Sequence, residues 1–198
     1  MDQEIIYLDN HTASRPCSPA LEQMRAALEE HWRFSLPKMP FHAVDALETR
    51  YPMIYDLVGA APADSFAFTS SGAEAIGQVH WTAFLEWARK EGKCHFVTSE
   101  VEDASLLQSL KRLEDLGCYV KIAPIDASGR VDLEKLAELV GPRTAMISLS
   151  LAHGLTGVIQ PIDEISRIAK ERGALLHVDA TYALGKLYAP FQNYGIDY

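Results

Sequence analysis

The run GALLHVDATYALGK, residues Gly173 to Lys186, decides the fold. Its first half, ALLHVD, is a short and mostly apolar run that predicts a strand buried on both faces. Asp179 stands where this strand should end. A carboxylate at that place either caps the following turn or meets a positive group. His177 and Asp179 would face the same side, but no third ligand accompanies them, so we predict no metal site.

The same alternation of apolar strands and amphipathic helices extends back along the chain. Continuous apolar strands separated by helices are typical of a parallel sheet that is covered on both faces. We therefore predict an α/β fold, with a mostly parallel sheet sandwiched by helices in three α/β/α layers. The predicted strands are IIYL (5–8), SFAFTSS (65–71), CHFVTS (94–99), CYVKIAP (118–124), TAMISLSL (144–151) and ALLHVD (174–179).

The predicted helices are bounded by residues that begin or end helices. Asp132 is a predicted N-cap, and Gly92, Gly117 and Gly173 follow the last periodic residues of three helices. Pro52 should kink or divide the helical pattern in which it lies. The predicted helices cover residues 18–32, 43–60, 72–92, 104–117, 131–141 and 161–173.

The composition excludes several classes of function. The chain has 198 residues, 48% of them hydrophobic, which is enough for one domain with a core. We divide the chain into an N-terminal arm, 1–17, and a domain, 18–198. The net charge is −9 and the 18 Lys and Arg form no basic stripe, so we expect no nucleic-acid partner. No apolar stretch is long enough to predict a membrane span. Three cysteines without a CxxC pair indicate reduced, buried and unreactive thiols in a cytoplasmic protein.

A strand that runs into a helix at FTSSGAEA offers a candidate anion site. Ligands of open α/β sheets sit at the carboxyl ends of strands, and free N–H groups at a helix start suit a phosphate. Here those groups belong to Gly72 and Ala73. A well-capped helix without a ligand is the alternative.

A tight loop follows another strand, in SLAHGLTG. It places His153 and Gly154 at the strand end. A histidine in such a loop could act on a ligand. The alternative is a structural histidine whose ring is hydrogen-bonded within the loop.

Six segments together carry a resemblance to a known family: IYLDNHTASRP (6–16), LVGAAPADSFAFTSSGAEA (57–75), TSEVEDASLL (98–107), GRVDLEKL (129–136), SLSLAHGLTGVIQPI (148–162) and RGALLHVDATYALGKL (172–187). They resemble the motifs of the NifS-like cysteine desulfurases, in the class V aminotransferase family of fold-type-I enzymes that depend on pyridoxal 5′-phosphate (PLP). The last segment is the most specific. The resemblance covers most of the chain, from about Tyr7 to Leu187.

This resemblance implies the large domain of a fold-type-I transferase, incomplete at its C-terminal end. It implies that Asp179 pairs with the protonated pyridine nitrogen of PLP, which keeps the ring an electron sink. It also implies that Gly72 and Ala73 donate N–H groups to the cofactor phosphate. The implied reaction mobilises sulfur from cysteine, a small amino-acid substrate, through a cofactor aldimine and passes it to an enzyme thiolate. A homodimer is implied as well.

Four positions depart from the family's pattern at the cofactor. The histidine that stacks on the ring falls at Asp103, and the asparagine falls at Gly154, where the adjacent His153 could substitute. The glutamine after the aspartate falls at Tyr182, whose phenol could still donate to the ring oxygen, and the phosphate-binding threonine falls at Ala73. Each loss would cost about 1–3 kcal/mol where a buried ligand group stays unpaired.

The family's Schiff-base lysine and catalytic cysteine have no match in this sequence, so the catalytic residues are unassigned. Lys186 matches a different lysine of the family, and we expect it to form a surface ion pair. The leading hypothesis is a cysteine desulfurase-like protein that is incomplete or inactive as this chain. The alternatives are a non-catalytic homologue acting as a partner-binding scaffold, and another class V aminotransferase or lyase.

Overall fold

The computed structural model describes residues 6–7, 14–30, 51–187 and 191–198. The chain forms two compact units, Met1–Leu57 and Val58–Tyr198. The predicted division into 1–17 and 18–198 stays a prediction. None of the described helices is both long and apolar enough to cross a membrane.

The first unit contains α1, Ser18–Glu30, where a helix is predicted. The described part of helix α2 is Tyr51–Val58, which includes Pro52. The predicted kink or division at Pro52 stays a prediction, because the residues before Tyr51 lie outside the described part. The earlier part of the predicted helix 43–60 lies outside the described residues, as do the last two residues of the predicted helix 18–32.

The second unit is built on four parallel strands in the order β2-β1-β3-β4. Ser148 of β3 lies beside His177 of β4, and Ser150 lies beside Asp179. This sheet, with helices on both faces, confirms the predicted α/β fold. The strands are β1 His95–Ser99, β2 Tyr119–Ala123, β3 Thr144–Ser150 and β4 Leu175–Asp179.

The helices of the second unit are α3 Gly72–Ala83, α4 Arg89–Glu91, α5 Ala104–Asp115, α6 Leu133–Leu139, α7 Ile162–Arg172 and α8 Phe191–Tyr194, with a π-helical turn at Phe84–Ala88 between α3 and α4. Their boundaries follow the predicted signals. Gly92 and Gly173 end α4 and α7 in the left-handed conformation, with φ of 73° and 63°. Asp132 caps α6, because its Oδ1 accepts the Lys135 N–H at 3.1 Å.

An apolar cluster covers the sheet face toward α6 and α7, which we call the α6/α7 face. Val97, Ile147 and Leu176 of the sheet are fully buried there. Leu136 of α6 and Ile165 of α7 pack against them. This face is apolar along most of each strand, so it stabilises the fold rather than forming a polar site.

The opposite face, toward α3 and α5, changes character along the strands; we call it the α3/α5 face. Phe96 and Met146 lie in an apolar cluster with residues of α3 and α5. Successive strand side chains alternate between faces, so Thr98, Ser148 and His177 share this face. All three are buried. The face is therefore apolar near the strand starts and polar near their carboxyl ends.

Two predicted strands are absent from the described residues. Residues 65–71 are not assigned to a strand, although SFAFTSS has strand composition. A strand forms only where a neighbouring strand pairs with it, and none of the described strands pairs with this segment. In the predicted strand 5–8, Ile6 and Tyr7 are described and are not in a strand, and the other two residues lie outside the described part.

The prediction of three buried thiols is wrong for Cys17 and only partly right for Cys94. Cys17 is exposed, Cys94 is half-buried and Cys118 is buried. All three are free thiols. Composition alone does not show exposure, because Cys17 precedes α1 whereas Cys118 begins the apolar run that enters β2.

The last residues of the chain run along β4. The Tyr198 N–H donates to the Leu176 carbonyl at 3.2 Å, and the Tyr198 carbonyl accepts the Val178 N–H at 2.9 Å. The Asp197 carboxylate accepts the Leu176 N–H at 2.8 Å. These contacts hold β4, and therefore Asp179, from the side away from β3.

Candidate active site at the strand ends

The strand order places the candidate site between the carboxyl ends of β1 and β3. Along the chain β1 is followed by β2 on one side, and β3 is followed by β4 on the other. Ligands of open α/β sheets bind at such a switch point, where neighbouring connections diverge. The site is thus expected near Ser99 and Ser150, the last residues of these strands.

Glu102 bridges the two strand ends, a role that was not predicted from the sequence. Its Oε1 accepts the Ser99 hydroxyl at 2.5 Å, and its Oε2 accepts both the N–H and the hydroxyl of Ser150, at 2.8 and 2.7 Å. Burial raises the pKa of this carboxyl above its usual value, while these hydrogen bonds oppose the rise. The sequence feature that could have indicated this role is the position of Glu102, three residues after the predicted strand 94–99.

Asp179 ends β4, as predicted, and one of its oxygens caps the next turn. Its Oδ1 accepts the Thr181 N–H at 2.9 Å and the Thr181 hydroxyl at 2.6 Å. No described residue donates a hydrogen bond to Oδ2. Asp179 can therefore both cap the turn and meet a positive group, because one oxygen fixes the turn while the other can accept from a ligand.

Helix α3 begins beside this carboxylate. The Ser71 hydroxyl caps it by accepting the Glu74 N–H at 3.2 Å. No acceptor among the described residues pairs with the N–H groups of Gly72 and Ala73. A Cβ on Gly72 would lie 3.9 Å from the Thr181 hydroxyl oxygen, so the helix start and the turn that holds Asp179 are neighbours. The two sequence-predicted binding ends are therefore brought together.

Asp103 and Tyr182 meet at the rim of the site. They form a side-chain hydrogen bond, in which the phenol donates to the carboxylate. The negative charge of Asp103 is the main reason that the pKa of Tyr182 is raised, and burial and Asp179 add to it. The Lys186 Nζ lies 6.0 Å from the centre of the Tyr182 ring, and it forms no ion pair with any described residue. The expected surface ion pair of Lys186 is thus not found among the described residues.

His153 and Gly154 follow the end of β3, where the Leu151 N–H donates to the Asp179 carbonyl at 2.9 Å. The His153 Nδ1 accepts the Thr156 N–H at 3.1 Å and lies 2.9 Å from the Thr156 hydroxyl. The ring is thus hydrogen-bonded within its own loop, as the structural alternative predicts. It lines a cavity of about 350 Å³ with residues of the 125–129 loop.

Comparisons with known proteins show the family to which this fold belongs. The aminotransferase class-V family model matches residues 6–198. The chain belongs to the aminotransferase class-V family. A cysteine desulfurase from Bradyrhizobium diazoefficiens is 31% identical over 97% of this chain and 49% of its own length.

Two solved structures are similar as well. One is a NifS-like protein, with a TM-score of 0.88 and 29% identity over 97% of this chain and 53% of its own. The other is SspA in complex with cysteine, with a TM-score of 0.83 and 26% identity over 96% of this chain and 55% of its own. The chain thus spans about half the length of the relatives it matches.

Cysteine desulfurases and other class-V aminotransferases use PLP, and the described residues fit both ends of that cofactor. The N–H groups at the start of α3, which no described residue accepts, suit its phosphate. The Asp179 Oδ2, to which no described residue donates, is an acceptor of the kind that a protonated pyridine nitrogen requires. Thr98 adds a buried hydroxyl on the same sheet face, and its Oγ1 has no partner among the described residues.

Proposed function

We propose that this chain supplies the cofactor-binding half of a PLP-dependent enzyme of the cysteine desulfurase type. The observation that carries this proposal is the convergence, beside Thr181, of two polar elements that have no partner among the described residues: the Asp179 Oδ2, and the N–H groups of Gly72 and Ala73. When bound, PLP would supply an electron sink next to the reacting amino acid.

Each residue has a definite task in this proposal. Asp179 accepts a charge-assisted hydrogen bond from the pyridine nitrogen, while Thr181 holds the other carboxylate oxygen and so fixes its orientation. Gly72 and Ala73 donate to the phosphate, and the partial positive charge at the start of α3 adds attraction. Glu102 holds β1 and β3 together behind these groups.

The family relationship supports the remaining features of the proposal. Cysteine is the proposed substrate, because a similar protein was solved in complex with cysteine and others are cysteine desulfurases. We place the protein in the cytoplasm, in keeping with three free cysteines. A homodimer is proposed from the resemblance of the chain to fold-type-I enzymes.

A binding titration tests the site without requiring a Schiff-base lysine. Pyridoxamine 5′-phosphate has no aldehyde, so its affinity for the full chain reports the two ends of the site alone. We expect saturable binding in calorimetry. Asp179→Asn should weaken it at least tenfold, which corresponds to about 1.4 kcal/mol. Gly72→Pro should weaken it as well, because proline removes an N–H at the first helical position with little cost to the helix.

Asp163→Asn is the matched control, since Asp163 is an exposed carboxylate in the first turn of α7. It should leave the affinity unchanged. Absence of binding to the wild-type chain, or equal affinities for wild type and Asp179→Asn, would overturn the proposal.

A second candidate is a homologue with different chemistry or none, used as a scaffold. The observation that favours it is the Asp103–Tyr182 pair, which puts a carboxylate and a phenol at the rim instead of a stacking ring. Such a protein could retain the phosphate site alone. In the same titration it would bind inorganic phosphate as tightly as pyridoxamine 5′-phosphate, and Asp179→Asn would have no effect.

A further inference from the structure

A row of four polar side chains crosses the packed layer between α5, α3 and the sheet. Ser109 Oγ lies 2.8 Å from the His80 Nδ1, and the His80 Nε2 lies 2.8 Å from Ser148 Oγ. Ser148 Oγ in turn lies 2.7 Å from the His177 Nδ1. Ser148 is fully buried, and His80 and His177 are 1% and 5% exposed. The row runs from α5 to the strand that ends in Asp179.

Both histidines of this row are neutral at neutral pH. Burial lowers the pKa of His80 to about 3, and the neighbouring His177 contributes to that shift. Burial also lowers the pKa of His177 to about 4, although the charge of Asp179 opposes the shift. A neutral imidazole carries one N–H, on either Nδ1 or Nε2. The question is therefore which nitrogen of each ring carries the proton.

Ser148 couples the tautomer of one ring to the tautomer of the other. Its hydroxyl has one hydrogen and lies between the His80 Nε2 and the His177 Nδ1. When it donates to the His177 Nδ1, it accepts from the His80 Nε2, so both rings carry the proton on Nε2. When it donates to His80, both rings carry the proton on Nδ1.

The two mixed arrangements are disfavoured. If both rings donated to Ser148, its own hydrogen would have no acceptor among the described residues. If neither donated, one buried ring nitrogen would be unpaired, because the hydroxyl can serve only one. An unpaired buried polar group is costly, so the two matched arrangements should dominate.

We propose that Ser109, His80, Ser148 and His177 form a hydrogen-bond relay in which the two histidines share one tautomer. His80 and Ser148 are then positioning residues that decide whether the His177 Nε2 is a donor or an acceptor. His177 lies on the same face as Asp179 and two residues before it. The tautomer of this ring near the strand end is therefore coupled to Ser109 of helix α5. This coupling does not depend on the proposed enzymatic activity.

The relay predicts an effect of Ser109 on His177, which it does not contact. In Ser109→Ala, a proton on the His80 Nδ1 would lose its acceptor among the described residues, whereas a bare Nδ1 costs less. The His177 Nε2 is not among the fully buried unpaired atoms of the described residues, so an N–H there can donate to solvent. We therefore expect both rings to carry the proton on Nε2 in this variant. Ser105→Ala, one turn earlier on α5 and outside the row, is the matched control and should leave the wild-type tautomers unchanged.

Nitrogen-15 NMR of the full chain with labelled histidine measures these tautomers directly, since a protonated and a bare ring nitrogen have distinct chemical shifts. Assignments come from His80→Leu and His177→Leu. The relay is supported if His80 and His177 show the same tautomer in the wild type, and both show Nε2–H in Ser109→Ala. Different tautomers for the two rings, in either protein, would overturn it. The wild-type spectrum gives this answer even if a variant fails to fold.

Discussion

The two faces of the sheet are built from the same four strands but in different ways. On the α6/α7 face, Val97, Ile147 and Leu176 continue the apolar core along the strands. On the α3/α5 face, Ser148 and His177 replace apolar side chains in the second half of β3 and β4. These five side chains are all at most 5% exposed, so exposure does not explain the difference.

The difference indicates that the α6/α7 face mainly stabilises the fold, whereas the α3/α5 face positions polar groups. Apolar side chains stabilise by leaving water and need no particular partner. Buried polar side chains cost free energy unless each finds a partner, so they are retained where their hydrogen bonds hold something in place. On the α3/α5 face, the polar side chains lie near the strand ends, close to Asp179 along β4. The comparison predicts that the two faces respond differently to truncation, to acid and to loss of a single hydrogen bond.

The largest expected effect is on the α6/α7 face. Ile147 is fully buried, and Ile147→Ala should lower the free energy of unfolding by about 2–5 kcal/mol, through lost burial and the cavity left behind. Urea denaturation measures this. The tautomers of His80 and His177 should not change in this variant, because it removes only apolar contacts. A shift of either tautomer would mean that the two faces are not independent.

Sensitivity to acid should come from the α3/α5 face. The pKa values of His80 and His177 are lowered by burial to about 3 and about 4, whereas an unfolded histidine titrates near 6.5. Below pH 6.5 the unfolded chain therefore takes up protons that the folded chain does not, and stability falls as the pH falls. The loss should be about 2–4 kcal/mol between pH 6.5 and 5.

The comparison of wild type with His80→Leu isolates this effect, and urea midpoints at the two pH values measure it. The variant should lose about half as much stability over the same interval. Glu102, whose pKa is raised by burial, acts in the opposite sense, but both proteins carry it and its contribution cancels. Equal losses in the two proteins would show that His80 is not a buried neutral histidine.

Glu102 joins the strand ends, so its loss should have an intermediate effect. Glu102→Ala leaves the buried donors of Ser99 and Ser150 without their acceptor, and should cost about 1–3 kcal/mol. Glu102→Gln retains an acceptor oxygen and should cost less. Urea denaturation of the two variants measures the difference. If Glu102→Ala were as stable as the wild type, the carboxylate would not be holding β1 and β3 together.

The smallest effect is expected at the partly exposed rim, where Asp103 and Tyr182 meet. The charge of Asp103 raises the pKa of Tyr182, so Asp103→Asn should lower that pKa toward the usual value for tyrosine. Ultraviolet titration of Asp103→Asn against wild type, with Tyr182→Phe to identify the signal, measures the shift. Stability should hardly change, because both side chains are partly exposed. An unchanged titration would mean that the pair does not form in solution.

Much of the fold follows from local patterns in the sequence. The apolar runs at β1 to β4 and the caps at Asp132 and Gly173 lie where they were predicted, because periodicity and capping act over a few residues. The predicted strand at residues 65–71 is wrong, although it was predicted from the same kind of local composition as the others. A strand requires a partner, and the composition of SFAFTSS does not reveal whether one is present.

The candidate site was predicted only in part. Asp179 is visible in the sequence because it interrupts an apolar strand. Glu102 was missed because its acceptor role depends on Ser150, which lies 48 residues away along the chain. The contact of His80 with Ser148 spans 68 residues, so each looks like an ordinary polar residue in an apolar pattern until the sheet and α3 are assembled.

The most direct test of the central claim is a crystal structure of this chain with pyridoxamine 5′-phosphate. The proposed site predicts the pyridine nitrogen within hydrogen-bond distance of the Asp179 Oδ2, with Oδ1 still held by Thr181. It also predicts phosphate oxygens at the Gly72 and Ala73 N–H groups. A ligand bound elsewhere, or one whose ring nitrogen faces away from Asp179, would contradict the assignment.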